Sequence, residues 1–188
     1  MILPIVAFGA PVLRKKCSNI SLDYPDLNTI LANMWETMYE AKGVGLAAPQ
    51  INKEIRLFLI DTTLFYEEEE EEGKREVIVK QAFINAKIIE EYGEEWEFNE
   101  GCLSIPDLRE DVIRKSTIKI EYLDENFKKH IKTYDGLTAR VIQHEYDHIE
   151  GILFTDKLTA LRKRMIKGKL MDISKGKVNA NYKMRFNR

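Results

Sequence analysis

The segment His144-Glu145-Tyr146-Asp147-His148 constrains this chain more than any other. It lies in a stretch whose pattern predicts a helix over Leu137–Glu150, stopped by Gly151. Four residues at about 100° each turn through about 400°, so the two imidazoles share one helix face, one turn apart. Both can reach one metal ion, and Glu145 beside them can reach a water at that ion without binding the metal itself. Such a pattern also arises by accident in His/Glu-rich helices. It gains weight here because Leu137 and Val141 leave the same face otherwise apolar, where imidazoles need partners to offset their desolvation.

A hydrolytic site of this kind takes three protein ligands and keeps one position open. Downstream of His148 no third ligand presents itself. The position six residues on is Phe154, and no glutamate follows Glu150. The upstream candidates are Cys17, Cys102 and His130. His130 alternates with Lys128 and Lys132 on the polar side of an expected strand, which places it at the surface. Cys17 follows two lysines with no other chemical residue beside it. Cys102 lies in Glu100-Gly101-Cys102-Leu103-Ser104, where glycine permits close backbone approach, and it is the favoured ligand.

A third unusual segment, Gly43-Val44-Gly45-Leu46-Ala47-Ala48-Pro49-Gln50, joins a helix to a strand. It lacks the Lys-Ser/Thr ending of a phosphate loop and opens a strand instead of a helix. It reads either as a tight connection under a sheet or as a wall where a substrate backbone passes close to the glycines. In the second reading the Gln50 amide is a hydrogen-bond donor.

The surrounding texture predicts an α+β fold. Leu27, Ile30, Leu31, Met34, Trp35, Met38 and Tyr39 form one apolar stripe on a helix from about Asp26 to Ala41. Between residues 54 and 134, short β-branched and aromatic runs predict strands, with a hairpin turn in Leu-Asp-Glu-Asn-Phe-Lys at 123–128. Strands grouped in this way indicate a largely antiparallel sheet, packed around the HExxH helix and flanked by an N-terminal and a C-terminal helix. The last helix is expected within 158–173, with Leu158, Leu161, Met165 and Ile166 inward, and the chain is expected to fray beyond Lys175.

With 188 residues the chain fits one catalytic domain, placed at 1–170, followed by a basic, flexible tail at 171–188. The net charge of −2 hides an acidic body: from Lys157 onward, eleven Lys/Arg face Asp172 alone. The six glutamates Glu67–Glu72 read as a solvated loop. Hydrophobic residues at 44% and charged residues at 32% exclude general disorder and a membrane bundle. Arg14, Lys15 and Lys16 follow the apolar opening instead of preceding it, unlike a signal peptide. The expected location is cytoplasmic, with both cysteines unpaired.

Gly-Val-Gly-Leu-Ala-Ala-Pro-Gln, Glu-Gly-Cys-Leu-Ser and Gln-His-Glu-Tyr-Asp-His, in this order and at these separations, resemble the three signature motifs of the peptide deformylase family. The resemblance covers roughly residues 1–165. It implies a metal-dependent hydrolase that removes the formyl group from the N-terminal formylmethionine of new polypeptides. The implied metal ligands are Cys102, His144 and His148, with Glu145 as proton acceptor and donor. Gln50 and the Leu103 N–H are implied to stabilise the oxyanion. The implied methionine pocket comprises Val44, Phe98, Leu137, Val141 and the His144 ring, with the peptide running beside Gly43, Gly45 and Gly101. An ion pair between Glu100 and Arg109 is implied at the pocket entrance. The implied ion is Fe(2+), while ligand softness also admits Zn(2+), Ni(2+) or Co(2+).

Two rival readings stand beside this one. An HExxH peptidase cutting internal peptide bonds is disfavoured by the missing downstream ligand. A ribosome- or RNA-associated metal-binding module is prompted by the basic tail. The expected partners are nascent N-formylmethionyl peptides and, through that tail, the ribosome; no membrane partner is expected.

Overall fold

The computed structural model describes residues 1–66 and 78–186, so the glutamate run at 67–72 lies outside the described residues. In chain order the elements are β1 (Ile5–Val6), α1 (Leu27–Glu40), β2 (Gly45–Ala47), β3 (Leu57–Asp61) and the single turn α2 (Thr63–Tyr66). There follow β4 (Lys80–Cys102), β5 (Ile105–Leu123), β6 (Lys129–Asp135), α3 (Gly136–Ile149), α4 (Ala160–Ser174) and β7 (Met184–Arg185). Strands β2 to β6 form one antiparallel sheet in chain order, which is the expected α+β class.

The apolar stripe of α1 is buried as its period requires: Leu27, Ile30, Leu31, Met34 and Met38 face inward, while Tyr39 is exposed. Strand β3 is the layer between two helices. Side chains alternate along a strand, so Leu57 and Leu59 join the α1 cluster on one face. Phe58 and Ile60 join Ala139, Val141, Ile142 and Ile149 of α3 on the other. That two-sided burial explains why 57–60 is an unbroken apolar run.

Where short strands were expected, β4 is one long strand that bends through register shifts against β5. At the far end of this hairpin Cys102 pairs with Ile105, so Leu103 and Ser104 form the tight turn. The metal-ligand candidate therefore sits at a hairpin tip. The turn expected at 123–128 joins β5 to β6, closed by the Asp124 N–H donating to Lys128 O at 3.0 Å. Asp124 Oδ1 accepts from the N–H groups of Asn126 and Lys128.

Helix α3 packs against β2, β3, β5 and β6. It ends as predicted at Gly151, whose φ of 76° lets the Ile152 N–H reach back to Asp147 O at 2.9 Å.

Two expectations for the C-terminal region are corrected. In α4 the inward side chains are Ile166 and Ile173, whereas Leu161 and Met165 are exposed and Leu158 is buried ahead of the helix. The helix presents a narrower apolar face than its composition implies, because only one side lies on the body. Among the described residues beyond Lys175, up to 186, the chain does not fray. It returns across the body, where β7 pairs in parallel with β1 and Met184 and Phe186 pack into the adjoining core cluster. Apolar burial and two ladder hydrogen bonds offset the ordering of this otherwise polar segment. Among the described residues, no helix is long and apolar enough to cross a membrane.

Candidate metal centre and its cavity

Donor atoms of Cys102, His144 and His148 lie within 4.8 Å of one another. Cys102 comes from the β4–β5 turn and both histidines come from one face of α3. The Cys102 Sγ lies 3.3 Å from His148 Nε2, and the two rings meet nearly edge to face with centroids 5.2 Å apart. His144 Nδ1 contacts Glu100 Oε2 at 2.9 Å, which leaves its Nε2 for an ion.

The other upstream candidates lie elsewhere. Cys17 is buried in the core, its backbone N–H donating to Ile149 O at 2.9 Å. His130 is half-buried, paired with Asp124 at 2.7 Å and stacked on Tyr122, so it is not the free surface group its strand register suggested.

Electrostatics around the trio favour one added positive charge. Burial opposes protonation of His144, but the Cys102 sulfur and the Glu100 carboxylate outweigh it and raise its pKa well above the ordinary imidazole value. Burial, and then the nearby His144, push His148 well below that value. The buried Glu145 carboxyl is pushed up to about 7 by desolvation, and its Oε2 has no hydrogen-bond partner in the protein. A soft sulfur donor, two imidazoles and a neighbouring carboxylate oxygen without a protein partner fit a divalent transition-metal ion and a water.

Glu100 does not pair with Arg109. Its carboxylate accepts from Arg114 Nε at 2.7 Å and Arg114 Nη2 at 3.0 Å, and from Arg140 Nη1 at 3.0 Å. Arg114 Nη1 also donates to Asp147 Oδ2 at 2.6 Å. Burial opposes the Glu100 charge, yet hydrogen bonds from His144 and Arg114 hold its carboxyl well below the usual range. Arg109 is exposed and donates to Asn99 Oδ1 at 2.8 Å. The reason is register: inward positions of β5 are Leu108, Glu110, Val112 and Arg114, so position 109 points outward.

A cavity of about 580 Å³ opens beside the trio. It is lined by Gly43, Val44, Gly45 and Gln50 on one side, by Phe98, Glu100, Gly101, Cys102, Leu103 and Arg109 on a second, and by Val141, His144 and Glu145 on a third. Leu137 is not among the lining residues; it sits one turn, ~6 Å, before Val141 along the α3 axis. His148 is buried behind the cavity. Gln50 Nε2 points at Cys102 Sγ, 3.5 Å away, and its Oε1 accepts from the Ala47 N–H at 2.8 Å, which fixes the amide with its donor toward the site.

Two of the glycines also make room within the protein itself. A Cβ at Gly45 would fall 2.7 Å from the Glu145 carboxyl carbon, and one at Gly101 would fall 2.8 Å from Arg109 Nη1. Each absent side chain makes room for a side chain of the protein itself.

Sequence reasoning passed over Arg114, Arg140 and Asp147. The first was legible from the period-two pattern of β5, and Arg140 from its place one turn before His144. It also passed over residues 179–182, which line the cavity from the C-terminal side. No local pattern marks them.

The polypeptide deformylase family model matches residues 2–164. A peptide deformylase of Christiangramia forsetii is 61% identical over 99% of this chain and 96% of its own. Among solved structures, a peptide deformylase from Legionella pneumophila superposes with a TM-score of 0.79 at 35% identity, covering 94% of this chain and 98% of that one. The enzyme from Thermus thermophilus gives 0.80 at 36% identity, covering 94% and 99%. With a family model matched over most of its length and relatives of this likeness, the chain belongs to the polypeptide deformylase family, enzymes that remove the N-formyl group from nascent polypeptides.

Proposed function

We propose that Cys102, His144 and His148 hold one divalent ion, Fe(2+) in cells, and that Glu145 moves the proton in hydrolysis of the formyl amide. The observation that carries this reading is the convergence of three donor atoms within 4.8 Å beside a buried carboxylate oxygen with no protein partner. The bound ion supplies Lewis acidity, which polarises an oxygen and makes water a nucleophile near neutral pH.

The chain's own groups do the rest. Glu145 takes a proton from the attacking water as its oxygen bonds to the formyl carbon. As the carbon–nitrogen bond breaks, Glu145 returns the proton to the departing amine, and formate leaves. The Gln50 amide and the Leu103 N–H donate to the formyl oxygen as it gains charge; removal of one such donor typically costs about 3–4 kcal/mol of barrier. Val44, Phe98 and Val141 enclose the methionine side chain. Glu100 fixes the His144 ring through Nδ1, and the Arg114, Arg140 and Asp147 charges hold Glu100 in turn.

This reading places the protein in the cytoplasm, acting on nascent chains. The exposed cations Lys175, Lys177, Lys183 and Arg185 of the C-terminal segment support a contact with ribosomal RNA phosphates.

The test is elemental analysis of anaerobically purified protein, paired with assays on formyl-Met peptides and on unformylated peptides. Formate release with about one ion per chain, and no internal cleavage, is the expected result. Internal cleavage, or formate release unaffected by chelation, overturns the reading.

A further inference from the structure

Two consecutive carbonyls of the turn that follows Cys102 are gripped from opposite ends of the chain. Tyr182 Oη donates to Leu103 O at 2.7 Å. The Phe8 N–H donates to Ser104 O at 2.8 Å. The segments that supply these donors are joined to each other: β7 lies beside β1, with the Ile5 N–H on Lys183 O and the Ala7 N–H on Arg185 O, both at 2.9 Å. Gln50 Nε2 lies 3.4 Å from Ser104 Oγ on the inner side of the same turn. Tyr182 is half-buried against the α1 core cluster, and 179–182 form the C-terminal wall of the cavity.

We infer that the paired chain ends form a clamp on the Leu103–Ser104 turn, with Tyr182 as a positioning residue for the deformylation step. A two-residue hairpin tip has no sheet partner beyond itself, so the orientation of its peptide groups depends on what holds its carbonyls. Fixing Leu103 O sets the plane of the peptide that follows Leu103 and limits rotation of the one before it, which carries the N–H proposed as oxyanion donor. The Tyr182 hydroxyl does not touch substrate in this account; it acts through Leu103. The inference rests on the oxyanion role proposed for the Leu103 N–H.

Tyr182→Phe removes only the hydroxyl. The expected result is a fall in kcat on a formyl-Met dipeptide of about 3- to 10-fold, the loss of one ordinary hydrogen bond expressed in the transition state. KM and metal content stay within error, since no substrate contact is removed, and the melting temperature falls by no more than a few degrees. A kcat within twofold of the parent, or a change confined to KM, overturns the clamp.

Hydrogen exchange on the unmodified protein gives a second, variant-free test. The amides of Ile5, Ala7 and Phe8 exchange as one cooperative group if the clamp is a unit. Exchange of Ile5 and Ala7 far ahead of Phe8 overturns it. Formate titration of the zinc-loaded protein separates the underlying assignment: a Leu103 amide resonance that does not respond to formate removes the oxyanion role itself, whatever Tyr182→Phe does.

Discussion

Glu100 Oε2 and His144 Nδ1 lie 2.9 Å apart, with the same carboxylate held by Arg114 and Arg140. The His144 ring is thus oriented by a buried carboxylate that is itself fixed by two guanidinium groups.

Glu100→Gln keeps the shape but removes the charge. Metal affinity falls by about 10- to 100-fold in a chelator competition, because the ring loses its charged orienting partner. Thermal stability falls as well, since Arg114 and Arg140 are left with reduced compensation in a buried place. Parent-like metal retention would show that the contact is incidental.

Cys102→Ser weakens metal retention, whereas Cys17→Ser leaves it intact. A hydroxyl remains protonated where a thiolate would bind, and only Cys102 stands beside the histidines. Equal metal loss in the two variants, or none in either, would mean that the ligand set is wrong.

The fold class, α1, α3 and the β5–β6 hairpin were legible in the sequence because each depends on local periodicity and local turn chemistry. The trio was legible too, since His144 and His148 share a helix face by arithmetic alone and Cys102 was the best of three remaining donors. Glu100 was assigned the wrong partner. Arg109 lies close in sequence, but strand alternation sends it outward and brings Arg114 in. The tail was misread for a different reason: its pairing partner, β1, lies at the other end of the chain, and no local pattern encodes that contact. Residues 179–182 line the cavity, so removing the segment that carries them removes part of its wall.

Gly45→Ala lowers kcat/KM by about 100-fold or more while the protein stays folded. The added methyl would occupy the place of the Glu145 carboxyl and displace it from the attacking water. Steady-state kinetics beside circular dichroism check this; near-parent turnover would mean that Glu145 tolerates displacement.

Burial pushes the Cys17 thiol up to about 11, against about 8.5 for an unfolded cysteine. The folded state therefore keeps a proton that the unfolded state releases across this interval, so stability is lost as pH rises from about 8.5 toward 11. Urea unfolding of the parent and of Cys17→Ala at several alkaline pH values isolates the effect. The variant has the shallower decline; identical slopes would place the thiol in a solvated setting.

In the proposed mechanism Glu145 carries the proton while the trio holds the ion, and Glu145→Gln divides those roles. The amide preserves the size of the side chain but cannot accept the proton from water. Metal content and formyl-Met dipeptide turnover are measured on the same preparation. The expected result is about one ion per chain, as in the parent, with turnover reduced by at least about 100-fold. Near-parent turnover in the fully metal-loaded variant would contradict it.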